Sequence, residues 1–224
     1  MCGRFSMAED FTVLEKLFNL EPIEFPLKPR YNIAPSQEVP VVIWERGRQL
    51  KLFRWGLIPA WAKEPAIGMK MINARAESLD QKPSFRKLLP QKRCLVLADG
   101  FFEWEKRGGK KIPYRIVLKD RKPFAFAGLY DHWQDSKGQT IYSCTIITTE
   151  ANRLIKPVHD RMPVILRQEA IPVWLDLGIK DVSLIKNLLT PYPEEEMDIY
   201  EVSPLVNSAK VDIPQCIEPV SRLF

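Results

Sequence analysis

Histidine is scarce in this chain: among 224 residues only His132 and His159 carry an imidazole. The four cysteines, at positions 2, 94, 144 and 216, never fall in a Cys-x-x-Cys pair. Together these shortages exclude the ligand spacing of a zinc site, and neither a metal nor any other cofactor is called for. Long apolar runs are also missing, so no segment has the length of a membrane-crossing helix. The opening Met1-Cys2-Gly3-Arg4-Phe5-Ser6 leads into a polar, helix-patterned stretch rather than the apolar run of a secretory leader. The expectation is a soluble, cytoplasmic protein with no membrane partner and no disulfide framework. With no internal repeat and no low-complexity linker, residues 1–224 read as a single domain, and a monomer is the simplest state.

What is present points to a folded core. Hydrophobic residues make up 46% of the chain, enough to bury a core, so disorder is not expected. The 19 prolines are scattered rather than clustered, which suits many short strands and loops. A formal charge of +5 is compatible with a nucleic-acid partner, and equally with a lysine-rich solvated surface.

Patterning gives the elements. Ser6-Met7-Ala8-Glu9 reads as a capping box, and Phe11, Leu14, Leu17 and Phe18 recur at helical spacing, predicting a helix over 7–19 with Cys2 just before it. Strands are predicted over 39–44, 50–55, 71–76, 93–98, 101–105, 114–118, 124–129, 142–148 and 162–166, with a last one at 200–202. Short helices are predicted at 150–156, 168–176 and 182–189, the last capped by Asp181. The expected class is α+β: a barrel-like, mostly antiparallel sheet with a few flanking helices.

Several residues could carry chemistry. Removal of Met1 would leave Cys2 with a free α-amine beside its thiol, with pKa values of roughly 7.7–8.0 and 8.5 in unperturbed groups. Such a 1,2-aminothiol condenses with an aldehyde to a five-membered thiazolidine, which no internal cysteine can do. Position alone does not favour this over a cysteine without a role. Cys94 and Cys144, in apolar strand-like runs, read as core, and Cys216 as core or surface. Glu103, among Phe101, Phe102 and Trp104, is either a desolvated acid–base group or an edge-strand carboxylate facing water. His159, beside Asp160 and Arg161, is a proton carrier or a loop stabiliser. Asn73, Arg75 and Glu77 alternate with alanines on one strand face, forming either a polar site wall or a half-exposed strand with a salt bridge. Trp55 and Trp61 bracket Gly56-Leu57-Ile58-Pro59-Ala60; Trp55 reads as core, and an exposed tryptophan could stack on an unpaired base.

These segments together resemble the SOS-response-associated peptidase (SRAP) family of abasic-site processing proteins. In order, they are Met-Cys-Gly-Arg-Phe at 1–5, Arg-Tyr-Asn-Ile-Ala-Pro at 30–35, Trp-Gly-Leu-Ile-Pro-Ala-Trp at 55–61 and Asn-Ala-Arg-Ala-Glu at 73–77. Ala-Asp-Gly-Phe-Phe-Glu-Trp at 98–104, His-Asp-Arg-Met-Pro at 159–163 and Val-Ser-Pro-Leu-Val-Asn at 202–207 complete the set. The resemblance implies binding of abasic sites in single-stranded DNA and a covalent thiazolidine cross-link through Cys2, which shields the lesion in the DNA damage response. It implies that Cys2 is the nucleophile, Glu103 an acid–base group, His159 a catalytic histidine and Asn73 the residue that positions the terminus and sugar. It further implies DNA contacts from Arg4, Arg75, Trp61, Thr148 and Arg161, and self-removal of Met1 in place of a general protease activity. The protein would be cytoplasmic, and nucleoid-associated when bound to DNA. A peptidase acting on other proteins, and a non-covalent nucleic-acid module indifferent to Cys2, are the alternatives.

Overall fold

The computed structural model describes residues 2–220. In chain order the strands and helices are β1 (Phe5–Met7), α1 (Phe11–Phe18), β2 (Arg30–Ile33), β3 (Glu38–Trp44), β4 (Arg48–Trp55), β5 (Asn73–Arg75), α2 (Pro83–Arg86), β6 (Arg93–Ala98) and β7 (Gly100–Arg107). There follow β8 (Lys110–Leu118), β9 (Phe124–Gln134), β10 (Thr140–Glu150), β11 (Arg161–Pro163), β12 (Ile165–Leu166), α3 (Ala170–Leu175), α4 (Val182–Lys186) and β13 (Met197–Glu201).

The apolar, β-branched strands close on themselves. β10, β4, β3, β6 and β9 pair in that order, and β9 pairs back onto β10, giving a closed barrel of five strands. Only the β10–β4 junction in this ring is parallel. Closure removes the sheet edges that would otherwise template aggregation. A second sheet, ordered β13-β8-β7-β1-β2, is antiparallel throughout. The sheets share a core: Phe5 on β1 meets Trp55 and Phe126 of the barrel edge-on, with ring centroids 5.1 and 5.7 Å away. The expected α+β class with a barrel-like, mostly antiparallel sheet is what the structure has.

Two local expectations fail. Ser6 does not cap a helix; it lies in β1, and Asp10 is the cap, its carboxylate accepting from Thr12 N at 2.8 Å. Pairing of β1 with β2 and β7 is non-local, and it overrides the capping-box pattern. The expected helix at 150–156 is a run of turns. Asn152 Oδ1 accepts from Ile155 N at 3.1 Å, the kind of local side-chain bond that competes with a helix, and Pro157 follows. Asp181 caps α4 as expected, accepting from Ser183 N at 2.8 Å. Cys94, Cys144 and Trp55 are buried as predicted, and Cys216 is buried as well.

Barrel geometry positions the site. The carboxyl end of β10 is flanked by β5 in parallel on one side and β11 antiparallel on the other, with Thr148 opposite both Arg75 and Pro163. Strand alternation then puts Asn73, Arg75, Thr148 and Arg161 on one face.

Candidate active site

Cys2 sits upstream of β1, between β7 and β5, and is 0% exposed. Asn73, the first residue of β5, donates from Nδ2 to the Cys2 carbonyl at 2.7 Å, which fixes the backbone next to the thiol. The thiol itself makes a long contact to Arg4 O at 3.8 Å. Burial pushes the Cys2 thiol up, and the nearby Glu103 carboxylate pushes it further, so the resting sulfur is protonated.

Glu103 lies midway along β7 and is 3% exposed, so the water-facing alternative is overturned. Burial raises its carboxyl to about 7, which leaves acid and base forms both populated near neutrality. His159 is half-buried at the entry to β11; its Nδ1 accepts from Arg161 N at 2.9 Å. That bond goes with a neutral ring protonated on Nε2, while the 3.2 Å contact of Nδ1 to Arg161 O goes with the other tautomer. Burial lowers the His159 pKa, favouring the neutral ring.

Asn73 also heads a groove of about 550 Å³, lined by Arg75, Glu77, Ser78, Lys82, Phe85 and Arg161 among others. Arg75 is exposed there. Arg161 is not a free cation: it forks onto the Glu77 carboxylate at 2.8 and 3.0 Å and donates to Thr148 O at 2.7 Å. Three buried polar atoms along this wall, Asn73 Oδ1, Thr148 Oγ1 and Arg161 Nε, have no partner among the described residues. Buried polar atoms are normally paired, so unpaired ones beside a groove suit a polar ligand.

Arg4, whose carbonyl the Cys2 thiol contacts, is partly engaged by the protein, although its buried Nε has no partner among the described residues. Its Nη1 donates to Asn32 Oδ1 and Val206 O, both at 2.7 Å, and its guanidinium lies 5.8 Å from the Trp104 ring centre. Trp61 is 61% exposed and lines a separate cleft with Lys63 and Lys70, away from Asn73. Asp131 Oδ2 holds the Trp61 loop by accepting from Ala60 N at 2.9 Å, and Trp133 Nε1 donates to Ala62 O at 2.7 Å. Among the described residues no group of three or more His, Cys, Asp or Glu side chains is placed to hold a metal.

The structure therefore brings Cys2, Asn73 and Glu103 together, and the groove joins Asn73 to Arg75 and Arg161. Thr148 pairs with Arg75 on the same sheet face, and His159 is tied to this wall by its bond from Arg161 N. Sequence reasoning missed the hub behind Arg4. Asn32 is fully buried, and its Nδ2 donates to Val211 O at 2.6 Å and Ser208 O at 3.0 Å. Asp212 accepts from Tyr31 N at 2.6 Å and Asn32 N at 2.9 Å and pairs with Arg30. An amide inside the otherwise strand-like Tyr31-Asn32-Ile33 was the available signal, since a polar residue on a buried strand needs partners.

The SOS response associated peptidase (SRAP) family model matches residues 1–209. The abasic site processing protein YoqW of Bacillus subtilis (strain 168) is 48% identical over 222 residues, covering 97% of this chain and 99% of that one. The abasic site processing protein HMCES of Gallus gallus is 34% identical over 226 residues, covering 86% of this chain and 67% of that one. A crystal structure of a Bacteroides thetaiotaomicron protein superposes with a TM-score of 0.88 at 31% identity, covering 98% of this chain and all of that one.

Proposed function

Because the chain belongs to the SRAP family, we propose that it processes abasic sites in single-stranded DNA by forming a thiazolidine cross-link through Cys2 after losing Met1. The observation that carries this reading is the Asn73 bond to the Cys2 carbonyl, made beside a buried carboxyl with a pKa of about 7. The relatives named abasic site processing proteins supply the substrate class.

The chemistry follows from the groups present. In its ring-opened form an abasic sugar exposes an aldehyde. The freed Cys2 amine attacks this carbon, and the resulting carbinolamine loses water to give an imine. The thiol then adds to the imine carbon, and its proton passes to the imine nitrogen. One water leaves in total, and no redox partner is needed. Because burial keeps the thiol protonated, the ring closure needs a base beside it. Glu103 fills that role and, when protonated, is the acid that helps open the sugar ring and expel water. His159 keeps a proton on Nε2 for the sugar, and the same proton serves reversal of the adduct. Asn73 holds the terminus in line, and its unpaired Oδ1 takes a sugar hydroxyl.

Arg75 and Arg161 contact backbone phosphates, Arg161 by exchanging its Glu77 partner, and such contacts carry no base information. Thr148 supplies a hydroxyl along the same track. Trp61 stacks on a base beyond the lesion. Arg4 acts mainly by bracing the segment that carries Cys2. The protein works as a monomer that shields the lesion in the cytoplasm, at the nucleoid, and the peptidase in the family name is the self-removal of Met1.

The test is a denaturing gel with an abasic single-stranded oligonucleotide. Untagged protein should give a heat-stable shifted band, and Cys2→Ala should give none. A Cys2→Ala protein that cross-links like wild type would overturn the reading.

A further inference from the structure

β1 is only three residues long, yet it carries Cys2 into the site. A slip of one residue would turn Phe5, packed on Trp55 and Phe126, out of the core, so apolar packing already opposes it. A carboxylate adds polar contacts to this short pairing. Asp99, between β6 and β7, donates its N–H to Ser6 O at 2.9 Å. Its Oδ1 accepts from Ser6 Oγ and its Oδ2 from Ala8 N, each at 2.6 Å.

Arg115 of β8 holds Asp99 from behind. Arg115 Nη2 donates to Asp99 Oδ1 at 2.8 Å and to Ser6 Oγ at 3.1 Å, and Nη1 donates to the Tyr200 hydroxyl at 2.8 Å. Tyr200 donates in turn to Ile217 O at 3.1 Å. The Asp99 and Arg115 side chains are 11% and 10% exposed. Gly100 makes the arrangement possible: a Cβ there would lie 2.6 Å from Arg115 Nε, so the guanidinium crosses β7 over bare backbone. An ion pair this far from water is better suited to fixing a conformation than to adding stability.

The consequence reaches the reacting groups. Ser6 lies opposite Gly100 and Phe5 opposite Phe101. The backbone of Phe102 then donates to Arg4 O at 2.9 Å, and continuing that register sets Gly3 opposite Glu103. Whatever fixes Ser6 therefore fixes the separation of Cys2 from Glu103. We propose that Asp99 is a positioning residue: braced by Arg115 across Gly100, its carboxylate sets β1 on β7 and holds Cys2 in reacting register with Glu103. The proposal rests on the reading of Cys2 as nucleophile.

Three variants probe it, namely Asp99→Asn, Ser6→Ala and Gly100→Ala, each scored by cross-linking rate against abasic oligonucleotide concentration. A misplacement of about 1 Å costs on the order of 10²-fold in rate, so Asp99→Asn should lower the saturating rate by about that factor, and Ser6→Ala and Gly100→Ala by about tenfold. The half-saturating DNA concentration should stay within about twofold of wild type. Amide exchange of the free protein is the second readout: Ala8 should exchange at least about tenfold faster in Asp99→Asn, with β9 amides unchanged.

Saturating rates equal to wild type in Ser6→Ala and Gly100→Ala would overturn the proposal. So would rate and half-saturation failing together in Ser6→Ala that keeps its folded signal by circular dichroism, or Ala8 exchange unmoved in folded Asp99→Asn. Should Asp99→Asn not fold, Ser6→Ala, which removes one hydroxyl, decides by rate and by Ala8 exchange. Wild-type protein that forms no cross-link would instead overturn the proposed function, while Ala8 exchange still scores the clamp.

Discussion

Replacing Glu103 by Gln should stabilise this protein increasingly as pH rises, an effect measurable without DNA. Burial raises the Glu103 carboxyl from 4.5 to about 7 in the folded chain. Between these values the folded state holds a proton that the unfolded state has released. The group's contribution is most favourable below about pH 4.5 and is lost as pH climbs through about 7. The distance from 4.5 to about 7, at 1.36 kcal/mol for each step of one in pH, gives a penalty of about 3 kcal/mol above neutrality, as an upper bound. The Gln amide is never charged and does not incur it. Its own hydrogen bonds add an offset that does not vary with pH. Urea denaturation of both proteins at several pH values from about 4 to about 8 isolates the difference, because all other titrating groups cancel. The stability gap should move in favour of Glu103→Gln by up to about 3 kcal/mol across that range. A gap constant within about 0.5 kcal/mol would refute the claim that Glu103 is ionised at a cost inside the site. The same variant should cross-link more slowly with DNA affinity retained.

Three further substitutions separate the remaining roles. Arg75→Ala, at an exposed position in the groove, should weaken single-stranded DNA binding and reduce the salt slope by about 1 in fluorescence-anisotropy titrations. Trp61→Ala should leave stability within about 0.5 kcal/mol, since the ring is 61% exposed, yet cost about 1–3 kcal/mol of DNA affinity in the same titration. Gly56→Ala should destabilise the fold by about 1–3 kcal/mol in urea melts. The cause is that Gly56 has φ +117° and a Cβ there would lie 2.6 Å from Gly68 O.

The barrel strands were legible because their apolar, β-branched runs bounded by turns need no distant information. Even there the sequence carried spacing rather than closure, which depends on β9 returning to β10. β1 was misread because its pairing partners lie far along the chain, whereas the Ser6–Glu9 pattern is local. The candidate residues around Cys2 could be named from their motifs, but their electrostatic states could not. Whether Glu103 faced water or core stayed open until β7 was seen packed against its neighbours. Arg4 shows a different limit. The family resemblance implies a phosphate contact there, and only the fold reveals that its Nη1 also donates to Asn32 and Val206. Asn32, Asp212 and Asp99 went unassigned because buried polar hubs have no spacing rule; their partners are fixed by tertiary contacts alone.

The most direct test of the central claim is intact-mass measurement of the purified, untagged protein before and after exposure to an abasic single-stranded oligonucleotide. The account predicts a chain lacking Met1, and then a new species whose mass is that chain plus the oligonucleotide minus one water. A chain that keeps Met1 and still forms the adduct, or one that loses Met1 and forms none, would contradict it.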